Sequence, residues 1–432
     1  MYLTKRFFLL LAAVVLTLGL GYAVPPLFLW GKVMLALLVL VTVADILLLY
    51  AVGGMEGRRA CAERFSNGDA NEVNIVLESH YPFALSLTVI DETPPIFQRR
   101  DVTFPAHLPA MGSSTLTYTL TPTRRGRYHF GHIRCFARTI IALAERRYTL
   151  GDEKEVKVYP AFLMLKRYEL LAMSDNLRET GAKRIRRVGN HTEFEQIKNY
   201  VKGDEYRSIN WKASARRHEL MVNVYRDERS QQIFSIIDKG RVMQQSFQGM
   251  TLLDYSINAA LVLSYVAMHR EDKAGLITFA DRPDTFVAPS ARPGQLQQLL
   301  ETLYAQETTF GETDFSSLCV NIHRQISKRS ILIIYTNFSG MTALHRQLSY
   351  LKLLNRRHKV IVVFFEDIEI NDYIRSPKTS TEDYYQHTIA EKFAYEKRLI
   401  VSTLRQHGIL SILTPPHMLS VNVINKYLEI RR

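Results

Sequence analysis

The chain opens on two uncharged apolar runs, residues 7–24 and 33–52, the second broken only by Asp45. Each approaches the roughly 20 residues with which an α-helix crosses a bilayer. Between about residue 60 and residue 160, short segments such as 71–77, 84–90 and 114–120 alternate apolar and polar positions. Pro82, Pro94, Pro95, Pro105, Pro109, Gly112 and Gly126 separate them. A period of two with that punctuation predicts a β-sandwich with one face of each sheet buried.

From residue 231 the rhythm changes. Short β-branched or aromatic runs at 233–237, 274–280, 330–336, 360–365 and 409–413 alternate with segments of helical period. Leu252, Leu253, Ile257, Ala260, Leu261 and Ser264 share one face of the first predicted helix, and Leu296, Leu299, Leu300 and Leu303 one face of the next. Apolar strands bracketed by helices predict a mostly parallel sheet covered on both sides. Residues 161–192 read as a short helix and a loop, and 367–383, polar and aperiodic, as an exposed insertion before a helix at 389–407. The predicted organisation is therefore two transmembrane helices (1–55), a β-sandwich (56–160), a connecting segment (161–230) and an α/β domain (231–432).

Charge orients the apolar runs. Lys5 and Arg6 precede the first, Arg58, Arg59 and Arg64 follow the second, and the turn near Pro25 and Pro26 offers only Lys32. A cleaved signal is the competing reading of the first run. A second run with no cleavage site before it favours a helical hairpin, and the positive-inside rule then places both ends in the cytoplasm. Asp45 would cost roughly 3 kcal/mol facing lipid, so it is expected to face the other helix, a partner subunit or backbone.

The net charge of +13 concentrates at Lys183, Arg184, Arg186 and Arg187. For a tethered chain an anionic membrane surface needs the fewest assumptions, with an acidic protein partner as the alternative. No aromatic-interleaved basic module is present, so nucleic acid is not expected. Cys61, Cys135 and Cys319 stand unmatched, which suits a reducing compartment and argues against a structural zinc site.

Residues 203–238, GDEYRSINWKASARRHELMVNVYRDERSQQIFSIID, join a charged, Trp-centred segment to an apolar strand ending on Asp238. This segment resembles the signature of the bacterial and archaeal domain-of-unknown-function 58 family. The motif Thr123-Arg124-Arg125-Gly126-Arg127-Tyr128 and the later Val158-Tyr159-Pro160 resemble the family's upstream region. The resemblance implies that residues 231–432 form a von Willebrand A-like domain, in which an Asp-x-Ser-x-Ser loop and two further loops hold a divalent cation. Here the first loop reads Asp238-Lys239-Gly240-Arg241-Val242, so Gly240 and Val242 stand where hydroxyl ligands would be. Thr313 remains on the second loop, and Asn337 replaces a carboxylate on the third. A hard cation wants several oxygen ligands, and a degenerate site without a bound metal or other cofactor is the expectation. The face formed by Asp238, Gly240, Val242, Thr313 and Asn337 is expected to bind a protein partner.

The signature itself has a mechanical reading. Asp204 after Gly203 is placed to cap a helix over 205–216, in which Arg207 and Trp211, four apart, share a face. Arg207 stacked on a buried Trp211 and held by Glu193 or Asp204 would lock the segment in place, with Asn210 and Arg216 completing the set. Lys198, where the family usually has arginine, would lose bidentate pairing. No nucleophile elbow, phosphate loop or zinc-protease motif occurs. The leading expectation is a non-enzymatic, inner-membrane adaptor with two membrane passes and cytoplasmic domains. By resemblance it works with a MoxR-type AAA+ ATPase on an unknown client protein. The alternative is a metal-dependent hydrolase or transferase using Asp238, Thr313 and Asp314.

Overall fold

A computed structural model describes residues 1–97, 103–165, 193–202, 204, 206–226, 230–308, 311–378 and 380–431. They form two compact units, Met1–Ala161 and Phe162–Arg432. The basic run 183–187 and most of the segment expected to be a helix and loop lie outside the described residues.

The first unit begins with helices α1 (Lys5–Leu20) and α2 (Pro25–Ala51). The break falls earlier than the apolar runs imply, because Pro25 takes the first helical turn, where its missing N–H costs no bond. At 16 residues, α1 is about 24 Å long. The 27-residue α2 is long and apolar enough to cross a membrane. The two helices pack through Val14 and Leu38, flanked by Leu11, Leu18 and Val41. Gly31 permits that approach, since a Cβ there would sit 2.6 Å from the Leu18 side chain.

Ten strands follow: β1 (Met55–Cys61), β2 (Arg64–Ser66), β3 (Asn71–Ser79), β4 (Leu85–Asp91), β5 (Thr103–Leu108), β6 (Ser113–Leu120), β7 (Gly126–Phe130), β8 (Ile133–Arg138), β9 (Ala144–Leu150) and β10 (Lys154–Tyr159). They pair as β9-β8-β4-β5, with Tyr2–Leu3 adding to β9, and as β1-β3-β6 and β2-β10-β7. Alternation puts Val73, Ile75 and Leu77 of β3 and Leu85, Leu87 and Val89 of β4 into one core. The two upstream motifs meet there, Val156 opposite Tyr128 and Val158 opposite Gly126. Arg59, one of the cations that follow the second apolar run, is an interior residue. Its guanidinium pairs with buried Asp91, which also accepts from the Tyr118 hydroxyl.

Asp45 is fully buried, and of its expected surroundings the structure supplies backbone. Its carboxylate accepts from the amides of Leu143 (2.9 Å) and Ala144 (2.8 Å) and from the Thr139 hydroxyl. One turn on, the Leu49 carbonyl accepts from the Tyr81 hydroxyl (2.6 Å) and Arg146 (2.6 Å). The last turns of α2 are thus covered by the β-domain, which leaves about 20 residues ahead of Asp45, roughly 30 Å of apolar helix. Asp45→Ala strands two buried amides and is expected to destabilise this unit by on the order of 3 kcal/mol. Asp45→Asn, which keeps one acceptor, should lose less. Thermal unfolding of the detergent-solubilised chain checks the order.

The second unit starts with an antiparallel pair, β11 (Glu193–Asn199) and β12 (Met221–Arg226), with α3 (Trp211–Arg217) between them. The remainder runs β13 (Gln232–Asp238), α4 (Leu252–His269), β14 (Lys273–Phe279), β15 (Pro283–Ser290), α5 (Gln295–Tyr304), α6 (Phe315–Gln325), β16 (Ile331–Tyr335), α7 (Met341–Arg357), β17 (Lys359–Phe365), α8 (Ile368–Arg375), α9 (Thr381–Gln406), β18 (Leu410–Thr414) and α10 (Leu419–Arg431). The sheet order is β15-β14-β13-β16-β17-β18, parallel except for β15. Alternate strand residues feed opposite layers. Ile233, Ile237, Ile333 and Val363 pack with α4 and α10, whereas Phe234, Ile236, Ile334 and Val362 pack with α6, α7 and α9.

Two expectations are corrected here. The edge strand β15, half exposed, carries too weak a pattern to have been predicted. The supposed insertion 367–383 holds α8 and the first turn of α9: Asp367 caps α8 through the amide of Ile370 (3.2 Å), and Ser380 and Asp383 form a capping box at the start of α9. No residue of α8 is fully buried, which is why apolar period missed it.

Candidate functional site

Strand β13 delivers Asp238 to the carboxyl end of the sheet, next to the end of β16. From this pair the sheet grows in opposite directions, and such switch points open the crevices in which α/β sheets bind ligands. Asp238 is fully buried. Its Oδ1 accepts from the Gly240 amide (2.8 Å) and the Thr313 hydroxyl (2.7 Å), and its Oδ2 from the Thr336 hydroxyl (2.7 Å). Burial raises the carboxyl's pKa, and these three donors pull against that rise.

The neighbouring cations are committed elsewhere. Lys239 pairs with Asp284, and Arg241 lies 3.8 Å from Glu312. Asp314 is the N-cap of α6, its carboxylate receiving the amides of Ser316 (2.8 Å) and Ser317 (3.2 Å) and both their hydroxyls. Burial pushes its pKa up, but those four donors together outweigh it and hold the carboxyl below the usual range. On the third loop, Asn337 Oδ1 accepts from Lys397 Nζ (2.6 Å), which also donates to the Phe338 carbonyl (2.7 Å).

Of the residues picked out by sequence, Asp238, Gly240 and Thr313 come together, while Val242 and Asn337 line an adjoining cavity of about 720 Å³. This set does not fit a hard cation. Both Asp238 oxygens hold protein donors, an ammonium occupies the Asn337 carbonyl oxygen, and a Cβ at Gly240 would lie 2.2 Å from Thr313 Oγ1. Among the described residues, no three His, Cys, Asp or Glu side chains cluster as metal ligands. Thr336 and Lys397 were missed. Thr336 meets Asp238 across 98 residues, and Lys397 comes from a helix sixty residues downstream of Asn337 with no local motif.

The signature residues stand apart from this site. Asp204 does not cap a helix but accepts from Lys198 Nζ (3.0 Å) and the Val201 amide (3.0 Å). Gly203 and Glu205 lie outside the described residues. The true cap of α3 is Asn210, whose side chain accepts from the Ala213 amide (3.0 Å) and donates to Asn223 (2.9 Å). Helix α3 therefore begins at Trp211, Arg207 falls in the preceding turn Tyr206–Ser208, and the expected shared face does not form. Trp211 is 69% exposed, not buried, and Arg207 and Arg216 are exposed as well.

Residues 196–371, which include both this signature and the Asp238 crevice, match the family model described as "Protein of unknown function DUF58". Over that segment the chain is similar to the DUF58 family. A curated relative, the uncharacterized protein YeaD of Bacillus subtilis (strain 168), is 26% identical over 216 residues, 47% of this chain and 52% of YeaD. The match thus spans about half the length of that relative. Similar solved structures include the conserved hypothetical protein BatB of Bacteroides thetaiotaomicron, 13% identical, with a TM-score of 0.31 over 47% of this chain and 98% of BatB. A CARDB domain from Pyrococcus furiosus is 12% identical, with a TM-score of 0.20 over 26% of this chain and 97% of its own.

Two outcomes follow from the geometry of the DUF58 segment. Gly240→Ala should cost about 1–3 kcal/mol by driving Thr313 off Asp238. In a Gly240→Ala/Thr313→Ala double variant the losses should be less than additive, which a thermal-unfolding cycle detects. Trp211→Ala, expected from sequence alone to remove about 3 kcal/mol as a buried aromatic, should instead change stability by less than about 0.5 kcal/mol, as for an exposed side chain.

Proposed function

We propose that this protein is a membrane-anchored, non-enzymatic adaptor that works with a MoxR-type AAA+ ATPase in assembling or maturing other proteins. The observation that carries the reading is the closure of the Asp238 crevice by the protein's own donors, together with the separate exposed aromatic and basic residues of the signature segment. The Asp238 carboxylate is fully buried and both its oxygens are engaged, by Gly240, Thr313 and Thr336, which holds it away from a substrate. The hydrolase alternative loses Asp314 to the cap of α6.

The anchor in this reading is a two-pass hairpin of α1 and α2 in the bacterial cytoplasmic membrane, with both soluble units in the cytoplasm against an anionic inner surface. The strand order, with its antiparallel edge, supports a doubly wound, von Willebrand A-like domain with a degenerate metal site. Fold analogy says little about function by itself. The weight rests on Asp238 and on the open surface at Tyr206, 74% exposed, and Trp211, since exposed aromatics flanked by arginines are the usual anchors of protein interfaces.

Purification of the full chain from detergent-solubilised membranes should bring down an AAA+ ATPase, and Trp211→Ala should reduce its yield without altering thermal stability. Calorimetry should register no Mg²⁺ binding at micromolar concentration. Micromolar Mg²⁺ affinity, or a partner set without any ATPase, would overturn the proposal.

A further inference from the structure

The cavity beside the Asp238 crevice lies wholly within the second unit. Phe247, Phe365, Ile370, Ile374, Phe393 and Leu413 give it apolar walls, and Lys397 enters from α9. A protonated lysine has three N–H donors. Two of them go to neutral acceptors, Asn337 Oδ1 and the Phe338 carbonyl. Among the described residues no carboxylate lies within ion-pair distance of Nζ. Burial accordingly pushes the amine's pKa down to about 8, with Asp367 pulling the other way.

The other charged groups facing the cavity do not fill this role. Glu366 accepts from Asn371 (2.9 Å), and Asp367 caps α8 and accepts from Gln245 (3.0 Å). The Glu396 carboxylate sits against Gly340, within 2.6 Å of where a Cβ would be, and Glu369 is exposed. Arg241 lies near Glu312, and Arg375 and Arg398 are exposed at the rim. Among the described residues Lys397 is therefore a partly buried cation with a spare donor, an apolar surround and no counter-ion within ion-pair distance.

Resting on the adaptor reading, we propose that this cavity receives an acidic side chain of the partner protein, its carboxylate pairing with Lys397 and a neighbouring apolar residue filling the wall. A tethered ammonium would then do for an acidic ligand what a bound cation could have done, without any metal. The charge-assisted bond forms while the amine is protonated, so binding holds below the amine's pKa in the complex and fades as pH rises through it.

The test uses the full chain in detergent and competitive amine labelling of Lys397, read by mass spectrometry across pH 7–10. The probes are acetyl-Leu-Glu-Leu-amide, its Gln counterpart, and hexanoate. The Glu peptide should protect Lys397 and raise its half-labelling pH by about one unit, a tenfold change, while the Gln peptide does nothing and hexanoate protects weakly. No protection by the Glu peptide at millimolar concentration, or equal protection by the Gln peptide, would sink the proposal. Hexanoate protecting better than the peptide would make this a small-acid site and overturn the partner assignment. Each of these failures is distinct from a failure of the adaptor reading, which the capture of an ATPase from membranes tests separately.

Discussion

A carboxylate taken out of water at the end of a parallel sheet must be neutralised, bound to a cation or surrounded by donors. Asp238 meets this constraint with donors, one amide and two hydroxyls drawn from three different loops. That choice fixes much around it. Gly240 has to lack a side chain so that Thr313 can reach the carboxylate, and Gly311 has to bring its loop close enough to accept from the Arg241 amide at 3.0 Å. Thr336 pins the end of β16 to the end of β13 across the switch point. The crevice is held shut by the same bonds that stabilise it.

A parallel constraint governs the other unit. An ionisable residue in the apolar helix α2 is tolerated because the turn between β8 and β9 presents two amides and a hydroxyl to it. In both places a buried aspartate organises backbone from elsewhere in the chain, and it does so through neutral amides and hydroxyls. Buried carboxylates satisfied by amides are structural more often than catalytic. Their placement at the end of an apolar helix and at a sheet crevice gives them mechanical consequences, since each ties together elements from distant parts of the chain.

What the sequence disclosed follows from which forces leave periodic traces. The strands β13, β14, β16, β17 and β18 sit between two helical layers, so their apolar runs were visible to within a residue or two. The β-domain showed through its alternation. Helix α8 was not legible because it buries no residue completely, although its Asp367 cap and the Ser380–Asp383 box were present in plain residues. Trp211 misled for the opposite reason: a tryptophan amid charges invites a buried, stacked reading, and only the cap at Asn210 shows that the helix starts too late for Arg207 to join it. The Asp238 loop was visible from its motif. Thr336 and Lys397 were not, because a contact across sixty residues or more leaves no mark on local spacing.

The difference between the two missed residues bears on how such a site can change. Thr336 supplies a neutral donor, and its contribution is absorbed wholly by Asp238. Lys397 supplies charge, and the neutral oxygens of Asn337 and Phe338 cannot balance it. Had position 337 carried a carboxylate, the amine would have been paired internally and the cavity left with no unsatisfied group. The amide at Asn337 orients the ammonium without cancelling it, so a positive charge stays at the wall of an apolar cavity.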